Sequence, residues 1–265
     1  MSQSPPTIEQ PAVPQEGPQS LGTRLLNVFA APSEVFDSIK NTPPAHANWL
    51  VPALLLIVVS WIGAWLIFSQ ESVQQQMREA AEKAIDQQIA RQHMSEQQAE
   101  QARQAAEKYG AIGQTVGAAV APIFTGFGTP FFLGLLFWIV ANHALKARLP
   151  YMKVVEVVGL AAMISVLEAI VRILLILVTG KLSASLSPAL LIKDFDPANM
   201  LHSLSVFANP LVFWLLSVRA IGLARVTGRS FVKAASWVFG LWCAYTGFFW
   251  ALGWLAQQIA KKKGG

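Results

Sequence analysis

The chain has 265 residues, 54% of them hydrophobic and only 13% charged, with a mean hydropathy of +0.44. Soluble globular domains carry about 25% charged residues, so this composition excludes an ordinary soluble domain and points to a bilayer. The net charge of +5 comes from bases that flank apolar segments, without a stripe of stacking aromatics, which excludes nucleic acid as a partner; a single cysteine, Cys243, excludes an internal disulfide or a cysteine-based metal cluster.

Residues 1–20, MSQSPPTIEQPAVPQEGPQS, have neither the basic stretch nor the apolar core of a secretory signal, and they predict an uncleaved, disordered Pro/Gln-rich tail. The membrane domain is expected over 21–265. It opens with Leu21, Leu25, Leu26, Val28 and Phe29 before Pro32, then Val35, Phe36 and Ile39 after it. Proline suits the first turn of a helix, where its missing N–H has no partner anyway, so two short amphipathic pieces lying in the membrane interface are predicted.

Crossing a hydrocarbon core of about 30 Å takes roughly 20 apolar residues in a helix. Five stretches meet this, at about 49–68, 116–145, 157–179, 204–226 and 234–259. Pro122 and Pro130 mark kinks in the second. Between the first two spans, residues 71–109 are polar, with Val73, Met77, Ala81, Ile85 and Ile89 at four-residue steps, and Ser95 stands three places before Gln98 at capping-box spacing. A helical, coiled-coil hairpin with a thin Ala-rich seam is expected there.

Bases in short loops orient a membrane protein. Lys146, Arg148 and Lys153 crowd the joint between spans two and three, and Arg219, Arg225, Arg229 and Lys233 the joint between four and five. Both joints and the N-terminus are therefore expected in the cytoplasm, and the hairpin and C-terminus outside. Lys261, Lys262 and Lys263 pull the other way, but they form one terminal cluster.

Three blocks carry a family likeness: NVFAAPSEVFDSIKNTPP before span one, LPYMKVVEVVGLAAMI leading into span three, and FANPLVFWLLSVRAIGLARVTGRSFVKAASWV joining spans four and five. In these the chain resembles the Yip family, the Ypt-interacting integral membrane proteins, in its bacterial branch. The motif positions are Pro32, Phe36, Asn209, Pro210, Trp214, Gly222 and Lys233. The resemblance implies five membrane helices with a cytoplasmic N-terminus, in a bacterial plasma membrane. Eukaryotic relatives bind Rab-type GTPases and assist vesicle traffic, whereas bacterial relatives have no assigned chemistry.

Inside span three, Glu168 and Arg172 each carry a mid-bilayer cost of about 2.5–3.5 kcal/mol on insertion scales. Their i, i+4 spacing with the acid first lets them neutralise each other on one helix face. They read either as a structural clasp or as a site of ion or proton passage. Asn142 and His143 fit capping or interfacial roles, and His46 and His93 lack ligand partners. Asp194 and Asp196 lack a third calcium-loop oxygen, and Asp196 before Pro197 reads as a helix N-cap. Thr125–Gly128, TGFG, lacks the full spacing of a potassium filter; its glycines and the row Gly113, Gly117, Ala121 suit close helix contact or flexing. No His-Glu-x-x-His, Gly-x-Ser-x-Gly, P-loop or dinucleotide turn is present, and the spans contain no aspartate for intramembrane proteolysis. The expectation is a non-enzymatic protein without cofactor or metal that organises membrane through lipid or through an unknown protein at its cytoplasmic face, with homo-oligomerisation left open. The alternative is a small-molecule or ion transporter or channel using Glu168 and Arg172.

Overall fold

A computed structural model describes residues 19–193, 195 and 199–263. Among them every regular element is a helix, and five of the helical stretches are long and apolar enough to cross a membrane: Ala47–Phe68, Ile112–Ala144, Tyr151–Thr179, Pro210–Thr227 and Phe231–Leu255. Asp194, Asp196 and Pro197 fall outside the described residues, as does most of the N-terminal tail.

The order is α1 (Leu21–Ala30), α2 (Pro32–Lys40), α3 (Ala47–Phe68), α4 (Glu71–Gln92), α5 (Glu96–Ile123), α6 (Thr129–Ile139), α7 (Tyr151–Thr179), α8 (Met200–Val206), α9 (Pro210–Thr227) and α10 (Phe231–Lys263). Single π-turns, Phe124–Gly128 and Val140–Ala144, precede and follow α6, so α5, α6 and both turns form one continuous helical rod. The first π-turn contains the TGFG stretch and ends two residues before Pro130. Proline offers no N–H and crowds the carbonyl four residues back, and widening that turn accommodates it.

Much of the apolar side of the first two helices packs inward, while Leu26 stays 71% exposed. Val28, Val35, Phe36 and Ile39 are fully buried and join one core with Val157, Leu160, Ala161 and Ile164 of α7 and Val218 and Val226 of α9. Ser20 caps α1, its Oγ accepting from Thr23 N at 3.2 Å, and Pro32 opens α2 at its first turn. A second core joins α6, α7, α9 and the start of α10 around Phe137, Val158, Ala220, Leu223 and Val238.

Lipid tails are as apolar as leucine, so spans associate by close packing rather than by exclusion of water. Gly159 on α7 lies against the backbone of α3, where an added Cβ would stand 3.1 Å from the Asn48 carbonyl oxygen and closer still to Trp49 Cα. At Gly222 on α9 an added Cβ would stand 2.5 Å from Val157 Cγ1 and 2.9 Å from Phe36 Cζ. These two glycines let α3, α7, α9 and α2 meet. By contrast Gly113 and Gly117 have open space on their side of α5, so the close contacts fall at other glycines than that row.

The ends of the bundle differ. At one end Arg229 Nε donates to the Leu145 carbonyl at 2.8 Å, which brings together the two base-rich joints, and α2 lies beside them. At the other end α4 docks by its base alone: Val73 is buried with Ile176 and Ala184, and Gln76 Nε2 donates to the Gly180 carbonyl at 2.6 Å. Further out, α4 and α5 enclose an open cleft of about 1060 Å³, bridged by the exposed pair Arg103–Asp86 at 3.1 Å. The turn between them closes on Ser95 Oγ accepting from Gln98 N (3.4 Å) and Gln98 Oε1 accepting from Ser95 N (3.1 Å).

Candidate functional site

The most deeply buried charges lie at the base-rich end. Lys153 and Glu156, one turn apart at the start of α7, are 3% and 0% exposed, so neither keeps water to solvate it. Lys153 Nζ donates to Glu156 Oε2 at 2.5 Å and to the carbonyl of Ile39, in the last turn of α2, at 2.8 Å. Glu156 Oε1 accepts from Asn48 Nδ2 in the first turn of α3 and from Ala45 N at 3.3 Å. A buried ion pair is tolerable when further hydrogen bonds satisfy both partners, and here charge-assisted bonds do so. The result is a clamp that ties α2, the 41–46 link, α3 and α7 together.

Nothing in the sequence reading singled out Glu156 or Asn48, and Lys153 counted there only as an orienting charge. The signal that would have found the pair is Lys153–Glu156 at i, i+3 inside the otherwise apolar run YMKVVEVVGLAAM.

Glu168 and Arg172 make no ion pair with each other. Glu168 is half-buried and its Oε1 accepts from Asn209 Nδ2 at 3.3 Å, while Arg172 is exposed on the outer side of α7. Asn209 is itself the N-cap of α9, Oδ1 accepting from Leu211 N at 2.9 Å, with Pro210 at the first position. The fourth span therefore begins at Pro210, after the separate short helix α8. Two positions that stood apart in the sequence, Glu168 and Asn209, come together where α9 begins beside α7.

Of the remaining motif positions Pro32 opens α2, while Phe36, Trp214 and Gly222 are packing residues. Phe36 lies on Gly222, and Trp214 meets Phe29 edge-on with ring centroids 6.0 Å apart. Lys233 is exposed in the first turn of α10. Arg219, on α9, is 8% exposed and its Nε finds no partner. Asn142 fastens the 145–150 joint: Oδ1 accepts from Leu149 N at 2.7 Å, and Nδ2 donates to the Trp138 and Leu149 carbonyls. That joint holds Lys146 and Arg148 at φ 55° and 53°, a left-handed conformation uncommon outside glycine. His143 Nδ1 lies 3.2 Å from the Ile139 carbonyl oxygen, and His46 Nδ1 accepts from Trp49 Nε1 at 3.4 Å. Among the described residues no three His, Cys, Asp or Glu side chains group so as to hold a metal ion.

The family model described as Yip1 domain matches residues 26–254, a range that takes in α2 through α9, the second half of α1 and most of α10. No curated protein and no solved structure matches the chain.

Proposed function

This chain belongs to the Yip1 domain family of membrane proteins, and from that premise we propose that it is a non-catalytic organiser whose base-rich end receives a protein partner at the cytoplasmic face of a bacterial plasma membrane. The observation that carries this reading is the seating of α1 and α2: Val28, Val35, Phe36 and Ile39 are fully buried against α7 and α9, and the Lys153–Glu156–Asn48 clamp holds the end of α2 in place. A partner then meets a preformed surface and needs little ordering of the chain. The outward side of that surface, with Glu34, Asp37 and Lys40 exposed, is polar, as the rim of a protein contact usually is.

The transporter alternative asks Glu168 and Arg172 to face one conduit. Glu168 bonding to the cap of α9 and Arg172 lying exposed on the outer side of the helix favour the organiser. A photo-crosslinking amino acid at Glu34 should give a discrete protein adduct in intact cells, while one at Gln87 in the hairpin should not. In parallel, proteoliposomes should show no ion or proton flux above empty vesicles; a flux abolished by Glu168→Gln would replace the organiser with the transporter.

A further inference from the structure

The base-rich end also holds a cleft of about 490 Å³ between α2, the last turns of α9 and the start of α10. Its wall includes Ser33, Asp37, Lys40, Arg225, Arg229 and Phe231. Three cations face one carboxylate. Arg225 Nη1 lies 3.1 Å from Asp37 Oδ2, which neutralises one of them in place. Arg229 is anchored through Nε on the Leu145 carbonyl, and its two terminal nitrogens have no acceptor among the described residues. Lys40 makes no hydrogen bond or ion pair among them at all. Its Nζ reaches across Gly228, 3.9 Å from where a Cβ would stand.

The backbone adds to this. Gly228 takes φ +66°, ending α9 in a left-handed turn that delivers the chain at once into α10. The first turn of that long helix therefore opens on the rim of the cleft with no acidic residue in it, adding the positive end of a helix dipole to the two uncommitted cations. Phe231, at the same rim, is 48% exposed, and Val232 next to it is 72% exposed. A soluble anion has no use for an apolar rim, whereas a lipid places its headgroup in the basic cleft and its chains beside it.

We propose that this cleft binds the phosphate of an anionic phospholipid headgroup, with the acyl chains running along α10 past Phe231. Lys40 and Arg229 are the recognising side chains, and Arg225 with Asp37 shapes the floor. This rests on the organiser reading only in giving that protein a lipid to gather; binding is read on the purified chain, with no partner present, so either idea can fail without the other.

The test is native mass spectrometry and thermal unfolding of the full-length protein in mild detergent, titrated separately with phosphatidylglycerol, with phosphatidylcholine of the same chains, and with inorganic phosphate. Phosphatidylglycerol should bind and raise the unfolding temperature, and the other two should not. Each base near an anionic surface is worth about a fivefold change in affinity, so Lys40→Gln should weaken phosphatidylglycerol binding about fivefold and Lys40→Glu more. Lys40→Arg should retain it. Because the Lys40 side chain makes no hydrogen bond or ion pair among the described residues, these variants test binding in a folded chain. Equal binding of both lipids, or wild-type affinity in Lys40→Glu, would overturn the site. Inorganic phosphate binding as tightly as the lipid would overturn the assignment to a membrane source.

Discussion

Lys153 Nζ lies 2.8 Å from the carbonyl oxygen of Ile39, which sets a full positive charge from the first turn of α7 against the negative end of α2. The same ammonium holds Glu156, and Glu156 holds Asn48. Removing one charge strands the other in a dry site, at a cost of about 3–5 kcal/mol, whereas removing both can be nearly neutral. Lys153→Met and Glu156→Gln should each lower the thermal stability of the detergent-solubilised protein sharply, and the double variant should recover a large part of the loss. Strictly additive losses in this cycle would show that the two side chains act independently.

Gly222 and Gly117 make a matched pair of tests. An alanine Cβ at Gly222 would meet Val157 Cγ1 at 2.5 Å and Phe36 Cζ at 2.9 Å, whereas at Gly117 it meets nothing within 4 Å. Overpacking of this kind costs typically about 1–3 kcal/mol. Gly222→Ala should therefore destabilise the bundle by that order and Gly117→Ala by almost nothing, with Val157→Ala partly rescuing Gly222→Ala. Unfolding curves followed by size-exclusion chromatography read all four proteins, and equal effects at the two glycines would refute the packing described for α2.

Glu168 and Arg172 should behave as uncoupled residues. Asn209 serves both the N-terminus of α9 and Glu168, so Asn209→Ala should cost about 1 kcal/mol as a lost cap and more if Glu168 is left without a donor. Arg172→Gln should leave folding almost unchanged. A coupling energy between Glu168→Gln and Arg172→Gln well above about 0.5 kcal/mol would restore the direct clasp that their spacing suggests.

Orientation is testable by chemistry from outside the cell. In a Cys243→Ala background, a cysteine at Gln98 should react with a membrane-impermeant thiol reagent in intact cells, and one at Ala147, in the base-rich joint, should be protected until the cells are broken. Reaction at Ala147 with protection at Gln98 would invert the topology.

Much of this architecture is legible in the sequence because bilayer thickness imposes a length and an apolarity that few other structures share. Pro32 marks a helix start for a reason intrinsic to its own chemistry and can be read by itself, whereas Asn209 and Pro210 cap and open α9 although the expected fourth span starts at about 204. The site is less legible. Glu168 and Arg172 have the spacing of an intrahelical pair, yet helical periodicity says nothing about how α7 is rotated about its axis, and packing turns one toward α9 and the other outward. Lys153 and Glu156 sit only three residues apart, but what makes them a clamp is Asn48, which is 108 positions away. The inward packing of α1 and α2 was hidden likewise: an amphipathic stripe fits a lipid surface or a glycine-bearing helix face equally well.

The separation between Asn48 and Glu156 also has a temporal meaning. At about 5–20 residues per second, α3 leaves the ribosome on the order of 5–20 s before the segment of α7 that will receive it. During that interval the first span must reside in lipid as a solitary helix, and its 22 residues, ANWLVPALLLIVVSWIGAWLIF, carry no formal charge. The helix that does carry a buried arginine, α9 with Arg219, is made after α7 is in place to shelter it. Chain order thus places the uncharged first span in the bilayer before the spans that carry buried charges, α7 with Glu156 and α9 with Arg219, are made.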